Sequence, residues 1–295
     1  MAIDIARLLA RRFNDVRQSY GAKDCILYAL GLGLGQDPLD ESQLRFTYEQ
    51  GLEALPTMAV VLGYPGFWQR DPSTGIDWTG IVHGEQRLRL HRPLATTGEV
   101  VSRLRVDAVI DKGEGKGALV HSSRELRTQD GEALLCTIQA TSFCRFDGGC
   151  GQGEPAMASS VEPLKAVPER KADAVHRWKT MPQAAQIYRL CGDDNPLHVS
   201  PKVAREAGFD RPILHGLCTY GIAGLAVVAL CNGGDPSRLR QLDARFTSPV
   251  YPGETIVTEL WMEGFHEGER HARVRCSVME REVVVLDRGY AAWLA

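Results

Sequence analysis

The chain has 295 residues, 44% of them hydrophobic and 24% charged, with a formal net charge of −3. That length suits two domains of about 100 to 150 residues each, and the composition excludes a disordered or fibrous protein. A small negative charge predicts no broad attraction to nucleic acid or anionic lipid, so any anionic ligand must be held by a local basic site.

The opening stretch, MAIDIARLLARRFNDVRQSY, places arginines where a secretory signal needs an unbroken apolar run. Ile5, Leu8, Leu9, Phe13 and Val16 recur at helical spacing, and a surface helix is expected. Segment 64–78, YPGFWQRDPSTGIDW, combines aromatic and turn residues and reads as a loop able to cover a pocket. Further on, LRLHRPLATTGEVV (88–101) and ARFTSPVYPGETIV (244–257) share one pattern: an alternating strand, a proline, a short turn, then Gly-Glu and a β-branched strand. The residues after each copy are also alike, reading as a strand, a polar turn and another strand, so a duplicated unit is expected.

Between the copies, residues 151–167 are rich in Gly, Ser and Pro without apolar periodicity and read as a linker. It separates an N-terminal domain, 1–150, from a C-terminal one, 168–295. The second half begins with helical signals: MPQAAQIYRL, then SPKVAREAGF with Ser200 as N-cap and Pro201 in the first turn, then HGLCTYGIAGLAVVALC, apolar nearly all round and therefore buried. Helices followed by antiparallel strands predict an α+β fold in which a curved sheet wraps a central helix. The longest apolar run, 221–230, is too short to cross a bilayer. Eight cysteines without metal-finger or CxxC spacing are expected to be reduced thiols, mostly buried, in a cytoplasmic protein. The C-terminus GYAAWLA carries no peroxisomal or endoplasmic-reticulum address and is expected to end as the last strand.

The chemistry concentrates in CGDDNPLHVS (191–200), where Asp193, Asn195 and His198 lie within six positions around Pro196. Two titratable groups and an amide at that spacing suit proton transfer, although an Asp and a His beside a turn also serve as a cap and a surface ring. Asp194 reads as a solvated turn residue, and His215 as a ring that packs at a helix start. Asp193, Asp194, His198 and His215 resemble a metal cluster only superficially, since no further ligand spacing supports one, and no metal is expected.

The pattern Gly-Asp-x-Asn-Pro-x-His resembles the signature of the MaoC-like, hydratase 2 group of (R)-specific enoyl-CoA hydratases. RPILHGLCTYG (211–221), ARFTSPVYPGET (244–255), YALGLG (28–33), VHGEQ (82–86) and IDKGEGKG (110–117) extend the resemblance over nearly the whole chain. It implies a double hot-dog fold and reversible hydration of a trans-2-enoyl-CoA to the (3R)-3-hydroxyacyl-CoA. It implies no cofactor beyond the coenzyme A of the substrate. Asp193 and His198 would activate water and move protons, Asn195 would position them, and the Gly216 N–H would bind the thioester oxygen. By the same resemblance His83, Gly84, Lys112, Phe246, Tyr28 and Glu49 contact or support the substrate, Lys112 against a coenzyme A phosphate. A degenerate N-terminal half would hold the acyl chain, and a homodimer without nucleic-acid or membrane partners is expected. The rivals are a hot-dog acyl-CoA thioesterase and a non-catalytic acyl-CoA binding module. The 64–78 segment departs from the family pattern, so acyl-chain length is not transferable.

Overall fold

The computed structural model describes residues 3–151, 162–231 and 233–295. Each half of the sequence builds the same unit. In the first, α1 (Ile5–Leu9) precedes β1 (Val16–Tyr20), α2 (Ala22–Leu32), α3 (Leu44–Thr47) and the strands β2 (Ile81–Leu90), β3 (Gly98–Asp111), β4 (Ala118–Thr128) and β5 (Leu134–Cys144). The second runs β6 (Ala174–Lys179), α4 (Ala184–Tyr188), α5 (Pro201–Glu206), α6 (Gly216–Cys231), then β7 (Leu239–Phe246), β8 (Thr255–His266), β9 (Glu269–Val278) and β10 (Val283–Leu294).

Among the described residues ten strands join one antiparallel sheet in the order β1-β3-β4-β5-β2-β7-β10-β9-β8-β6, so each half repeats the other when read outward from the centre. At that centre Arg87 pairs with Asp243. The sequence repeat aligns Leu88 with Ala244, so Arg87 meets its own counterpart, as a local two-fold axis demands. Even the irregularities recur. The β3–β4 ladder shifts between Val106 and Ala108, and the β8–β9 ladder shifts between Met262 and Gly264, the corresponding place.

The sheet closes over α6, whose residues from Cys218 to Val228 are all buried. A helix this apolar has no face to give to water and is stable only inside. Tyr28 of α2 and Tyr188 of α4 are buried in the same core, and the Tyr220 hydroxyl donates to the Leu242 carbonyl at 2.6 Å, which satisfies a buried polar group inside the sheet. This is the double hot dog expected from the sequence. Ser200 caps α5 as predicted, accepting from the Val203 N–H, with Pro201 in the first turn. The C-terminus ends in β10, also as predicted.

The N-terminus differs from its expectation. Only Ile5–Leu9 is helical, Phe13 lies beyond it, and Val16 starts β1. The reason is a competing pattern: Val16, Gln18 and Tyr20 alternate inward, and pairing with β3 along all five residues outweighs one more helical turn. The 151–167 linker lies largely outside the described residues. The 64–78 segment holds two short 3₁₀ turns, Trp68–Arg70 and Pro72–Thr74, with a third starting at its last residue, and is pinned from outside, by Arg11 on Asp71 and Ser73 and by the Phe13 ring on Trp68, 5.2 Å between centroids. All eight cysteines are free, five of them buried.

Candidate active site

A cavity of about 1150 Å³ opens between the halves. One wall is the turn at 192–198. Gly192 holds φ +124, a region closed to most side chains, and reverses the chain after the Arg189–Cys191 turn. Asp193 then accepts from the Asn195 N–H at 3.2 Å, and the Asn195 side chain accepts from the Leu197 N–H at 3.1 Å, which caps the short turn Pro196–His198. Asn195 therefore fixes the carboxylate through its backbone and the histidine turn through its amide. Asp194 is exposed, as expected, and also lines the cavity.

His198 is buried. Its Nδ1–H donates to the Ile213 carbonyl at 2.9 Å, which leaves the Nε2 lone pair free. Burial lowers its pKa, against a smaller opposing pull from Asp193, so the ring is neutral at pH 7. His215 stacks on it with centroids 3.8 Å apart and reaches the Asp193 carbonyl at 3.1 Å. Burial first, and His198 second, take the His215 pKa down to about 3. His215 thus does more than pack at a helix start: it holds both the Asp193 backbone and the His198 ring. A carboxylate oxygen of Asp193 and ring nitrogens of His198 and His215 lie within 4.8 Å of one another, a gap of the size that one water molecule can bridge.

Gly216 opens α6 beside this cluster. The first bonds of the helix run from the Cys218 and Thr219 N–H groups to the His215 carbonyl, so the Gly216 N–H has no helical acceptor and sits at the positive end of the dipole. A Cβ there would stand 3.1 Å from the Phe246 ring. Phe246 in turn packs on His83, centroids 4.6 Å apart. His83 and Gly84 sit at a bulge of β2 against β5, and Gly84 leaves 3.1 Å to the Thr141 carbonyl from where a side chain would begin. Loss of solvation takes the His83 pKa down to about 4, so this ring is neutral too.

Asp193, Asn195, His198, Gly216, His83, Gly84 and Phe246 all line the cavity. Lys112 stands at its edge in the turn after β3, its ammonium 5.1 Å from the Phe143 ring that does line it. Two sequence expectations lie elsewhere. Tyr28 is fully buried in the core and Glu49 is exposed after α3, and neither reaches the cavity. Tyr28 connects to the site through a row of rings, 5.8 Å to Tyr188, then 5.1 Å from Tyr188 to His215. Sequence reasoning missed Arg70, Arg145 and Arg189, three cations on the wall, and Arg124, a fourth. Their signal was faint, because arginines inside loops and alternating strands look solvated. Cys191, one of the cysteines expected to be mostly buried, is half-buried and also lines the cavity.

Comparison with known proteins agrees with this geometry. Residues 163–284 match the MaoC like domain family and residues 18–146 match the MFE-2 hydratase 2 N-terminal domain. "Enoyl-CoA hydratase 2, peroxisomal" of Arabidopsis thaliana is 35% identical over 276 residues, 87% of this chain and 86% of that protein. "Peroxisomal multifunctional enzyme type 2" of Mus musculus is 36% identical over 96% of this chain, which spans only 37% of that protein's length. The crystal structure of a MaoC-like dehydratase from Phytophthora capsici shares 32% identity and a TM-score of 0.84 over 99% of each chain. Both halves are matched, and relatives above 30% identity run through most of the chain: the protein belongs to the MaoC-like hydratase 2 family.

Proposed function

We propose that the protein hydrates trans-2-enoyl-CoA reversibly to (3R)-3-hydroxyacyl-CoA. The observation that carries this reading is the neutral His198 ring and the Asp193 carboxylate converging within 4.8 Å, beside a helix-start N–H at Gly216 without a helical acceptor. Water addition needs a base for the attacking water, a proton for carbon 2 and a donor for the enolate oxygen. Asp193 accepts a proton from the water as its oxygen bonds to carbon 3, and then, as the acid, passes that proton to carbon 2. His198 Nε2 holds the same water, and the Gly216 N–H receives the charge that develops on the thioester oxygen. The (3R) outcome rests on family membership.

The N-terminal half, 1–150, supplies the acyl and coenzyme A wall with His83, Gly84 and Phe246 at the junction, and Lys112, Arg70 and Arg145 suit the coenzyme A phosphates. The C-terminal half, 168–295, supplies the chemistry. Coenzyme A as part of the substrate is the whole cofactor requirement. Asp193, His198 and His215 are also close enough to share a cation, so a sample treated with a chelator and then dialysed tests that statement: full turnover is expected, and loss restored by a divalent metal contradicts it. Homodimer formation and a cytoplasmic location complete the proposal. Among the described residues no helix is long and apolar enough to cross a membrane. The free thiols suit any reducing compartment, so imaging of the tagged full chain decides where it resides.

The test of the reaction is loss of the enoyl-thioester absorbance, coupled to a (3R)-specific dehydrogenase. Asp193→Asn and His198→Gln are each expected to lower kcat by about 10²- to 10⁴-fold with an unchanged melt. Release of free thiol in place of hydration would point to a thioesterase.

A further inference from the structure

Arg124 lies on β4, facing the cavity from the N-terminal sheet, between Leu104 of β3 and Ile138 of β5. Its guanidinium donates to the carbonyls of Val60 and Leu62. Those bonds use two of its five N–H groups and bring no negative charge. Among the described residues no carboxylate pairs with it, and burial pushes its pKa down to about 10. An unpaired cation held away from water is costly unless something compensates it.

The repeat shows what this position looks like without such a group. Leu104 corresponds to Leu260, whose partner on β9 is Val274, so Arg124 corresponds to a valine that is 2% exposed in the core. The same replacement occurs nearby. Ser122 stands for the buried Ala272, and Gln86 for the buried Leu242. All three polar residues line the cavity, as does Gln18, which takes the Gly63 N–H at 2.6 Å and keeps its own amide donor. One half therefore carries a polar patch where the other carries core. Tyr64 stands between this patch and the reacting turn, within electrostatic reach of Arg124 on one side and Asp193 on the other.

A pocket meant for a plain hydrocarbon tail would gain from Val, Ala and Leu here, so the substitutions point to a tail that brings oxygen with it. We infer that the acyl group accepted by this cavity carries a carboxylate remote from the thioester, and that Arg124, with Gln18 and Ser122 beside it, receives it. A carboxylate supplies the missing charge and accepts from the unused N–H groups, which a ketone or hydroxyl does only in part. This substrate class rests on the hydratase reading above and narrows it.

The test uses trans-2-enoyl-CoAs of graded length ending in a methyl, a methyl ketone or a carboxylate, with wild type, R124M and R124K. At the length that spans the cavity, wild-type kcat/KM for the carboxylate-ended chain is expected to exceed that for the methyl-ended chain at least tenfold. In R124M the ratio should drop below one, and R124K should keep part of it. A wild-type ratio of one or less at every length overturns the inference, and so does an equal gain with the ketone, or a ratio that R124M leaves unchanged. If R124M loses its cooperative melt, the wild-type and R124K ratios decide. Calorimetric binding of the saturated analogues gives the same comparison without turnover. A carboxylate preference in binding without hydration of any chain would keep the Arg124 site and defeat the reaction, whereas hydration without discrimination would do the reverse.

Discussion

His198 shows how one residue's surroundings set its chemistry. The Ile213 carbonyl fixes the proton on Nδ1, burial disfavours the cation, and the stacked His215 adds no charge because it is itself neutral. A ring kept neutral with Nε2 free can hold water at neutral pH, but loses that lone pair once protonated. With the pKa below the ordinary imidazole value, kcat/KM is expected to stay flat as pH falls through about 6.5 and to decline only at lower pH. A profile measured on the free enzyme checks this, and an acid limb at or above 6.5 contradicts the tautomer and burial described. Much of this was legible in the sequence, because Gly192, Asp193, Asn195, Pro196 and His198 build a local turn from their own conformational preferences. His215 was not. Its role depends on stacking across 17 positions of chain, and a histidine before a glycine says nothing about which ring it will meet.

The start of α6 makes the corresponding case for an element. A helix start offers unsatisfied N–H groups whatever its sequence, and Gly216 makes one of them reachable. Two variants separate the donor from the space. Gly216→Ala adds a Cβ close to Phe246 but keeps the N–H, while Gly216→Pro adds comparable bulk and removes it, at a helix position that tolerates proline. Gly216→Pro is expected to lose a further 10²- to 10³-fold in kcat beyond Gly216→Ala, about 3 to 4 kcal/mol of transition-state stabilisation. Equal losses would mean that only space matters. At this scale the sequence was readable where one period dominated. The all-apolar 216–231 run reads as a buried helix, and the paired meanders after Leu88 and Ala244 read as a repeat rather than as two unrelated meanders with similar turns. It failed where two periods overlapped, at Val16 in β1, and where a short edge strand such as β6 offers six residues of half-buried alternation. Arg124 was hidden for a related reason: it occupies an inward position of an alternating strand, where an arginine is read as outward.

At the scale of the whole molecule, joining two units through β2 and β7 buries Asp243 at the sheet centre, and burial raises its pKa to about 6. His83 and His215, whose pKa values are taken down to about 4 and 3, lie on the two sides of the same junction. These groups pull stability in opposite directions as pH changes. Between about 6.5 and 4 the unfolded chain binds protons on both imidazoles that the folded chain refuses, so stability falls as pH falls. Between about 6 and 4 the folded chain binds a proton on Asp243 that the unfolded chain has released, so this group alone favours folding as pH falls. For these groups alone, two imidazoles against one carboxyl leave a net slope of roughly one proton, about 1.4 kcal/mol per pH unit, and His198, His121 and His176, whose pKa values burial also lowers, add to it in the same direction. Chemical denaturation from pH 7.5 to 4.5 should show that loss. Asp243→Asn cannot take the compensating proton, so its loss between pH 6 and 4.5 should be steeper than wild type, while its stability at pH 7.5 should be higher because a buried charge is gone. His215→Gln should flatten the same region, because one of the two refused protons no longer exists. Parallel curves for all three proteins would mean that the junction is wetter than its burial indicates.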